Sequence, residues 1–264
     1  MSSTSLFAST LFASTWYTYL ERSYAPYSEH PEAVLCQGVK GLYPGVRIEN
    51  ASYPLTIEAL QGAFGLASMF HDPIHTIWAP PGQRLDPALL HAFGASAQQV
   101  RFSETPPTGE SESWIWVTDL FLPETSLGVE SVEAQRHQWR LQQLDTTLRW
   151  CRPTHSDFPV SALLETNLGI IRGANTEASV WTLGLCAERH AIHAAMALGT
   201  TPGNTIMIHA PKSQVCSPCG VCRQTMHEAG IKHVYMVHGD LSTTHYPLAS
   251  LLPFQFEREF GSIS

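Results

Sequence analysis

An internal repeat restricts the fold of this chain more than any other feature. Gly45-Val-Arg-Ile-Glu49-Asn-Ala-Ser52-Tyr-Pro-Leu55 resembles Gly173-Ala-Asn-Thr-Glu177-Ala-Ser179-Val-Trp-Thr-Leu183 at an offset of 128 residues. The same offset pairs His30-Pro31 with Phe158-Pro159. Further on, Trp78-Ala-Pro80 answers His209-Ala-Pro211, and Phe121-Leu-Pro123 answers Leu251-Leu-Pro253. Matching blocks in one order predict two domains of common plan, 1–129 and 130–264, in a chain of 264 residues.

Each copy reads as helix, strand pair, helix, strand, helix, strands. In the second copy, Glu130 to Trp150 places Leu141, Leu144 and Leu148 at helical spacing. Val160 to Leu164 and Leu168 to Arg172 predict a hairpin around Glu165-Thr-Asn167. Cys186 to Leu198 reads as a helix stopped by Gly199, and Thr205 to His209 as a buried strand. Pro218 opens a further helix running to Gly230, and Lys232 to Val237 is strand-like. This alternation predicts the α/β class: two tandem α/β/α sandwich domains, each with a mixed central sheet flanked by helices.

Apolar residues make up 44% of the chain and charged residues 14%, enough for a substantial core. The formal net charge is −8 and no basic stripe is present, which argues against a nucleic-acid polymer as partner and for a small-molecule substrate. Met1 to Tyr19 is rich in Ser and Thr and lacks the build of an export signal. No run approaches the roughly 18 apolar residues of a membrane span. A reducing cytoplasm is the expectation, with thiols held for metal. Phe102 to Ser113 reads as a solvated loop.

Of six cysteines, Cys36, Cys151, Cys186, Cys216, Cys219 and Cys222, four fall within 186–222. Cys219 and Cys222 are spaced i, i+3 and share one side of a helical first turn. Cys186 starts another helix. Two helix N-termini then aim three sulfurs at one point, and their partial positive charge lowers thiol pKa. Three protein ligands plus water is the catalytic zinc pattern. A structural knot closed by Cys216 as fourth thiolate is the alternative.

Cys186-Ala-Glu-Arg-His-Ala-Ile192 together with Ser217-Pro-Cys-Gly-Val-Cys-Arg-Gln224 resembles the cytidine deaminase family in its three-cysteine form. The resemblance covers roughly residues 150–256, and 20–125 in degraded form. It implies two cytidine-deaminase-like domains and one Zn2+ held by Cys186, Cys219 and Cys222. It also implies attack of zinc-bound hydroxide on C4 of cytosine, a mechanism described generally for zinc deaminases and carried over with the resemblance. Glu188 is implied as the proton shuttle and Arg189 as the guanidinium that offsets the thiolates. Asn175 and Glu177 match the residues that bind the ribose 3′-hydroxyl, Phe158 the aromatic on the pyrimidine, and Ala187 a substrate contact. Phe256 matches a C-terminal aromatic that reaches a base, with Phe254 as its rival. Ser161 stands where the family usually has glycine, and Cys216 where it commonly has an apolar residue.

The first copy carries Glu58-Ala-Leu60 in place of Cys186-Ala-Glu188, and Arg47 in place of Asn175, so it is expected to bind neither zinc nor substrate. It keeps Glu49-Asn-Ala-Ser-Tyr53-Pro54. The resemblance implies that Ala51 and Tyr53 lean into a second-copy pocket, within the chain or between chains; the alternative is that they only hold an interface. The expected activity is hydrolytic deamination of cytidine or deoxycytidine in pyrimidine salvage, by a homodimer forming a pseudo-tetramer of domains. Alternatives are a modified cytosine nucleoside as substrate, a polynucleotide editor, and a non-catalytic zinc scaffold.

Overall fold

Strands buried on both faces need helices above and below them, and two such sheets organise this protein. The computed structural model describes residues 13–93, 99–107, 116–123 and 133–256. The first sheet contains the hairpin β1 (Ala33–Gly38) and β2 (Leu42–Val46), then β3 (Ile74–Ala79) and β4 (Gln99–Phe102), in the order β2-β1-β3-β4. Its helices are α1 (Trp16–Glu21), α2 (Ala59–Met69) and α3 (Pro87–Ala92). Next come α4 (Trp116–Leu120) and β5 (Phe121–Pro123).

The second half begins with α5 (Glu133–Thr147) and continues through the hairpin β6 (Ser161–Thr166) and β7 (Gly169–Ala174). It then runs through α6 (Ala187–Ala197), β8 (Pro202–His209), α7 (Gly220–Glu228), β9 (His233–Val237), β10 (Thr243–Pro247) and α8 (Leu248–Leu251). Its sheet order is β10-β9-β8-β6-β7-β5.

The repeat read from the sequence is visible in the hydrogen bonding. Pairing of Ala33 with Val46 recurs as Ser161 with Ala174, 128 residues on. The bridges Tyr24–Ile48 and Ile48–Ile57 recur as Arg152–Thr176 and Thr176–Leu185. Even the left-handed residues Glu29 and Asp157 correspond. In both sheets the hairpin is antiparallel, its first strand pairs antiparallel with the next, and that strand pairs parallel with its successor.

Several details differ from the sequence reading. Glu165 and Thr166 belong to β6, so the hairpin turn narrows to Asn167 and Leu168. Helix α7 begins at Gly220, because the Cys219 side chain caps it by accepting from the Cys222 amide; Pro218 lies before the cap. Phe121 to Pro123 adds a strand beside β7, whereas Leu251 ends a helix, so these matched segments are not structural equivalents. Strand β5 therefore completes the second sheet from residues that precede 129. The boundary at 129/130 itself, and part of the Phe102 to Ser113 loop, lie outside the described residues.

Close approaches set the relation between helices and sheets. A Cβ on Gly173 would lie 2.1 Å from the Ala187 carbonyl, and one on Gly45 would lie 1.9 Å from the Ala59 carbonyl, so each hairpin takes the first turn of a helix directly against it. The two halves meet where α2 packs on α6. A Cβ on Gly62 would lie 2.0 Å from His193 Nε2, and one on Gly65 would lie 2.7 Å from the His190 ring. Positions 62 and 190 correspond in the repeat, as do 65 and 193. Each copy thus offers its first position to the other's second, the reciprocal pattern of a two-fold interface inside one chain.

A glycine in a helix interior normally gains about 1 kcal/mol on replacement by alanine. At Gly62 the clash with buried His193 reverses the sign, and Gly62→Ala is expected to lose about 1–3 kcal/mol in denaturant unfolding. In a His193→Ala background the same substitution should become neutral or stabilising; an equal loss in both backgrounds would contradict the packing described.

Candidate active site

Cys186 is the N-cap residue of α6 and Cys219 that of α7, so both thiols stand at positive helix ends. Cys222 sits one turn into α7 and is buried. Cys219 Sγ lies 3.9 Å from Cys186 Sγ and 3.3 Å from Cys222 Sγ, and all three sulfurs fall within 4.8 Å of one another. Hydrogen bonding with Cys186 and Cys222 holds the Cys219 thiol far below its usual range, while hydrogen bonding with Cys186 and Cys219 pushes Cys222 up.

A tetrahedral zinc ion with bonds near 2.3 Å keeps its sulfurs about 3.8 Å apart, so this soft donor set fits zinc. Cys216 stays outside the cluster. Its thiol faces the Ile208 carbonyl at 3.8 Å and its amide donates to His238 Nδ1. The four-thiolate alternative does not form among the described residues.

Glu188, in the first turn of α6, is buried beside the sulfurs. Burial pushes its carboxyl up to about 7; the Cys219 thiolate adds to the rise and Arg189 works against it. A carboxyl near neutrality is suited to taking up and releasing a proton. The Arg189 guanidinium is buried as well, which lowers its pKa, while the charges of Cys186, Cys222, Cys219 and Glu188 sustain it. Its Nη2 donates to the Leu55 carbonyl at 2.9 Å, a contact from the other half of the chain.

Asn175 follows β7 and ties down the segment ahead of β6. Its Oδ1 accepts from the Val160 amide at 2.9 Å and its Nδ2 donates to the Phe158 carbonyl at 2.8 Å, which leaves amide capacity for a ligand. Glu177 Oε2 accepts from the His155 and Ser156 amides at 2.5 and 3.1 Å. Burial opposes its ionisation, but hydrogen bonds from Ser156 and His155 hold the carboxyl below the usual range. A cavity of about 330 Å³ beside Glu177 is lined also by Phe64, Phe93 and Leu183. Phe158 is partly exposed, and Ala187 is buried at the start of α6. Phe256 is exposed, and its backbone pairs with the Gln224 side chain of α7. Tyr53 is 83% exposed in a single helical turn, Tyr53–Leu55.

The equivalent place in the first half has a different chemistry. Arg47 contacts Glu58 at 2.9 Å, Glu49 at 3.0 Å and Glu32 at 3.2 Å. Glu58 caps α2 where Cys186 caps α6, and Glu49 accepts from the Tyr27 and Ser28 amides as Glu177 does from His155 and Ser156. Residues not singled out from the sequence also belong to this region. Gln224 binds Phe256, and Glu228 accepts from the Ala51 amide and the Tyr27 hydroxyl.

A family model described as the cytidine and deoxycytidylate deaminase zinc-binding region matches residues 134–238. The cytidine deaminase of Sporosarcina psychrophila is 36% identical over 110 residues, covering 40% of this chain and 79% of that protein. That of Halalkalibacterium halodurans is 37% identical over 111 residues, covering 40% and 82%. Among solved structures, cytidine deaminase from Burkholderia pseudomallei aligns with a TM-score of 0.42 at 30% identity, covering 46% of this chain and 98% of that one. On these sequence matches, the chain belongs to the cytidine deaminase family.

Proposed function

We propose that this protein hydrolytically deaminates cytidine or deoxycytidine to the uridine product, in its C-terminal half. The observation that carries this reading is the convergence of three thiols beside a buried carboxyl, Glu188. Cys186, Cys219 and Cys222 are the residues to hold zinc, which when bound supplies a Lewis acid that activates water. Glu188 would accept one proton of the attacking water on its carboxylate and deliver it to N3 of the ring, then take the proton of the new C4 hydroxyl and pass it to the amine as the C4–N bond breaks. Its burial keeps bulk water from competing for that proton. Asn175 and Glu177 orient the ribose hydroxyl, Phe158 covers the pyrimidine face, and the Ala187 segment contacts the base.

The chain is read as a tandem duplication, with 1–129 non-catalytic and 130–264 catalytic, acting as a cytoplasmic homodimer. The Arg47 cluster supports the non-catalytic reading of the first half, since it fills that half's corresponding position with the protein's own charges. Tyr53, with Trp181 at the matching position of the repeat, stands exposed and available to a second chain. Among the described residues no helix is long and apolar enough to cross a membrane. A modified cytosine nucleoside is the second reading. Among the described residues the buried Ser161 hydroxyl, next to the Phe158–Val160 segment, has no hydrogen-bond partner, and an extra polar group on the substrate would satisfy it.

Glu188→Gln is expected to lose about 10²–10⁴-fold in cytidine turnover, followed by ultraviolet absorbance, while keeping its zinc. Cys216→Ala should keep zinc at the wild-type ratio and Cys222→Ala should lose it, measured by atomic absorption after dialysis; zinc loss in Cys216→Ala would restore the four-thiolate knot. Tyr53→Phe is expected to raise KM several-fold with its melting temperature unchanged, and wild-type kinetics would count against a role in a pocket.

A further inference from the structure

The repeat supplies an internal control for the contacts around Arg189. Gln61 in the first copy corresponds to Arg189 in the second, and Leu55 corresponds to Leu183. Arg189 Nη2 donates to the Leu55 carbonyl at 2.9 Å, and Gln61 Nε2 donates to the Leu183 carbonyl at 3.2 Å. The same side-chain-to-carbonyl bond therefore crosses between the halves twice, once in each direction. The bond is common to both copies. The positive charge is present only in the copy with the cysteine cluster, where negative charge on the three sulfurs would sustain the guanidinium.

The segment that presents Leu55 is held at several points. Ile48 and Ile57 exchange backbone hydrogen bonds at 2.9 Å, and Arg47 joins Glu58 at 2.9 Å, so residues 47–58 form a closed loop. Within it, the Ala51 amide donates to both oxygens of Glu228, at 2.8 and 3.0 Å, and Glu228 belongs to α7, the helix of Cys219 and Cys222. The loop is thus clasped to itself by Arg47 and to the metal-binding helix by Glu228. Its Leu55 carbonyl then reaches the one arginine of α6.

We infer that the non-catalytic half acts as a positioning device for the metal centre. The Arg47–Glu58 clasp and the Ala51–Glu228 anchor fix the Leu55 carbonyl, which aims the Arg189 guanidinium at the three thiolates. This inference rests on the zinc reading given above and assigns Arg47, Glu58 and Glu228 a role in metal retention. Outer partners that orient charges around a metal typically change affinity by about 10–100-fold when removed.

A double-mutant cycle on the full-length, zinc-loaded protein tests it, with zinc affinity read by competition against a chromophoric chelator. Arg189→Gln retains a donor for the Leu55 carbonyl, as Gln61 does for Leu183, but removes the charge. It should fold normally and bind zinc at least about 10-fold more weakly. Arg47→Ala should weaken zinc by a similar factor in the wild-type background and add no further loss in the Arg189→Gln background. If Arg47→Ala does not fold, Glu228→Ala, which frees the Ala51 amide together with the Tyr27 hydroxyl and one Gln224 contact at a partly exposed position, enters the cycle in its place with the same expectation. Wild-type zinc affinity in the remote variant, or losses that multiply in the double variant, overturns the positioning role. A wild-type protein that holds no zinc overturns the metal reading and this inference together, which separates the two failures.

Discussion

Helix α6 imposes the constraint on which the rest of the structure depends. Every one of its residues except Met196 is buried, although it carries Glu188, Arg189, His190 and His193. Burying such groups without partners costs several kcal/mol apiece. The first half supplies much of what they need. The Leu55 carbonyl accepts from Arg189, the Val46 amide donates to His193 Nε2, and Met69 Sδ meets His190 Nδ1 at 2.9 Å. Burial drives both imidazoles down to about 3, so they sit neutral in the interface. Glycines 62 and 65 leave the space those rings occupy. The half that contributes no sulfur to the cluster is in this way packed against the helix that carries Glu188 and Arg189.

The first half shares the architecture of the second but has a different chemistry at the corresponding place. Where the second half places Cys186 and Asn175, the first places Glu58 and Arg47. The guanidinium lies among three carboxylates and is raised by Glu58, Glu32 and Glu49 against the cost of its burial. The result is a loop closed by charge rather than by a ligand. Its outward-facing part, Ala51 to Leu55, remains available for contacts with the second half and with solvent.

Much of this was legible in the sequence, for physical reasons that can be traced to particular residues. The 128-residue offset survives because hairpin register and the glycine under each helix start are fixed by close contact, as at Gly45 and Gly173. The sulfur cluster was legible because spacing i, i+3 on a helix start dictates direction, as at Cys219 and Cys222. Local chemistry misled where two signals competed. Pro218 suggested a helix start, but the capping bond to Cys219 moved it to Gly220. What could not be read is the partnership between the halves. The Leu55 acceptor is a backbone carbonyl, which leaves no mark in residue type, and the match of Gly62 to His193 has meaning only once the two helices face one another. The Gln61–Arg189 correspondence was present in the sequence, but the carbonyls these side chains reach across the two halves were not legible in it.

The decisive question is how many sulfurs surround the metal. Zinc K-edge X-ray absorption on the purified protein measures this directly. Three sulfur scatterers at about 2.3 Å and one oxygen or nitrogen near 2.0 Å are expected, a site with a position open to water beside Glu188. A shell of four sulfurs would close that position, remove the place for a water nucleophile, and contradict the deaminase reading of this chain.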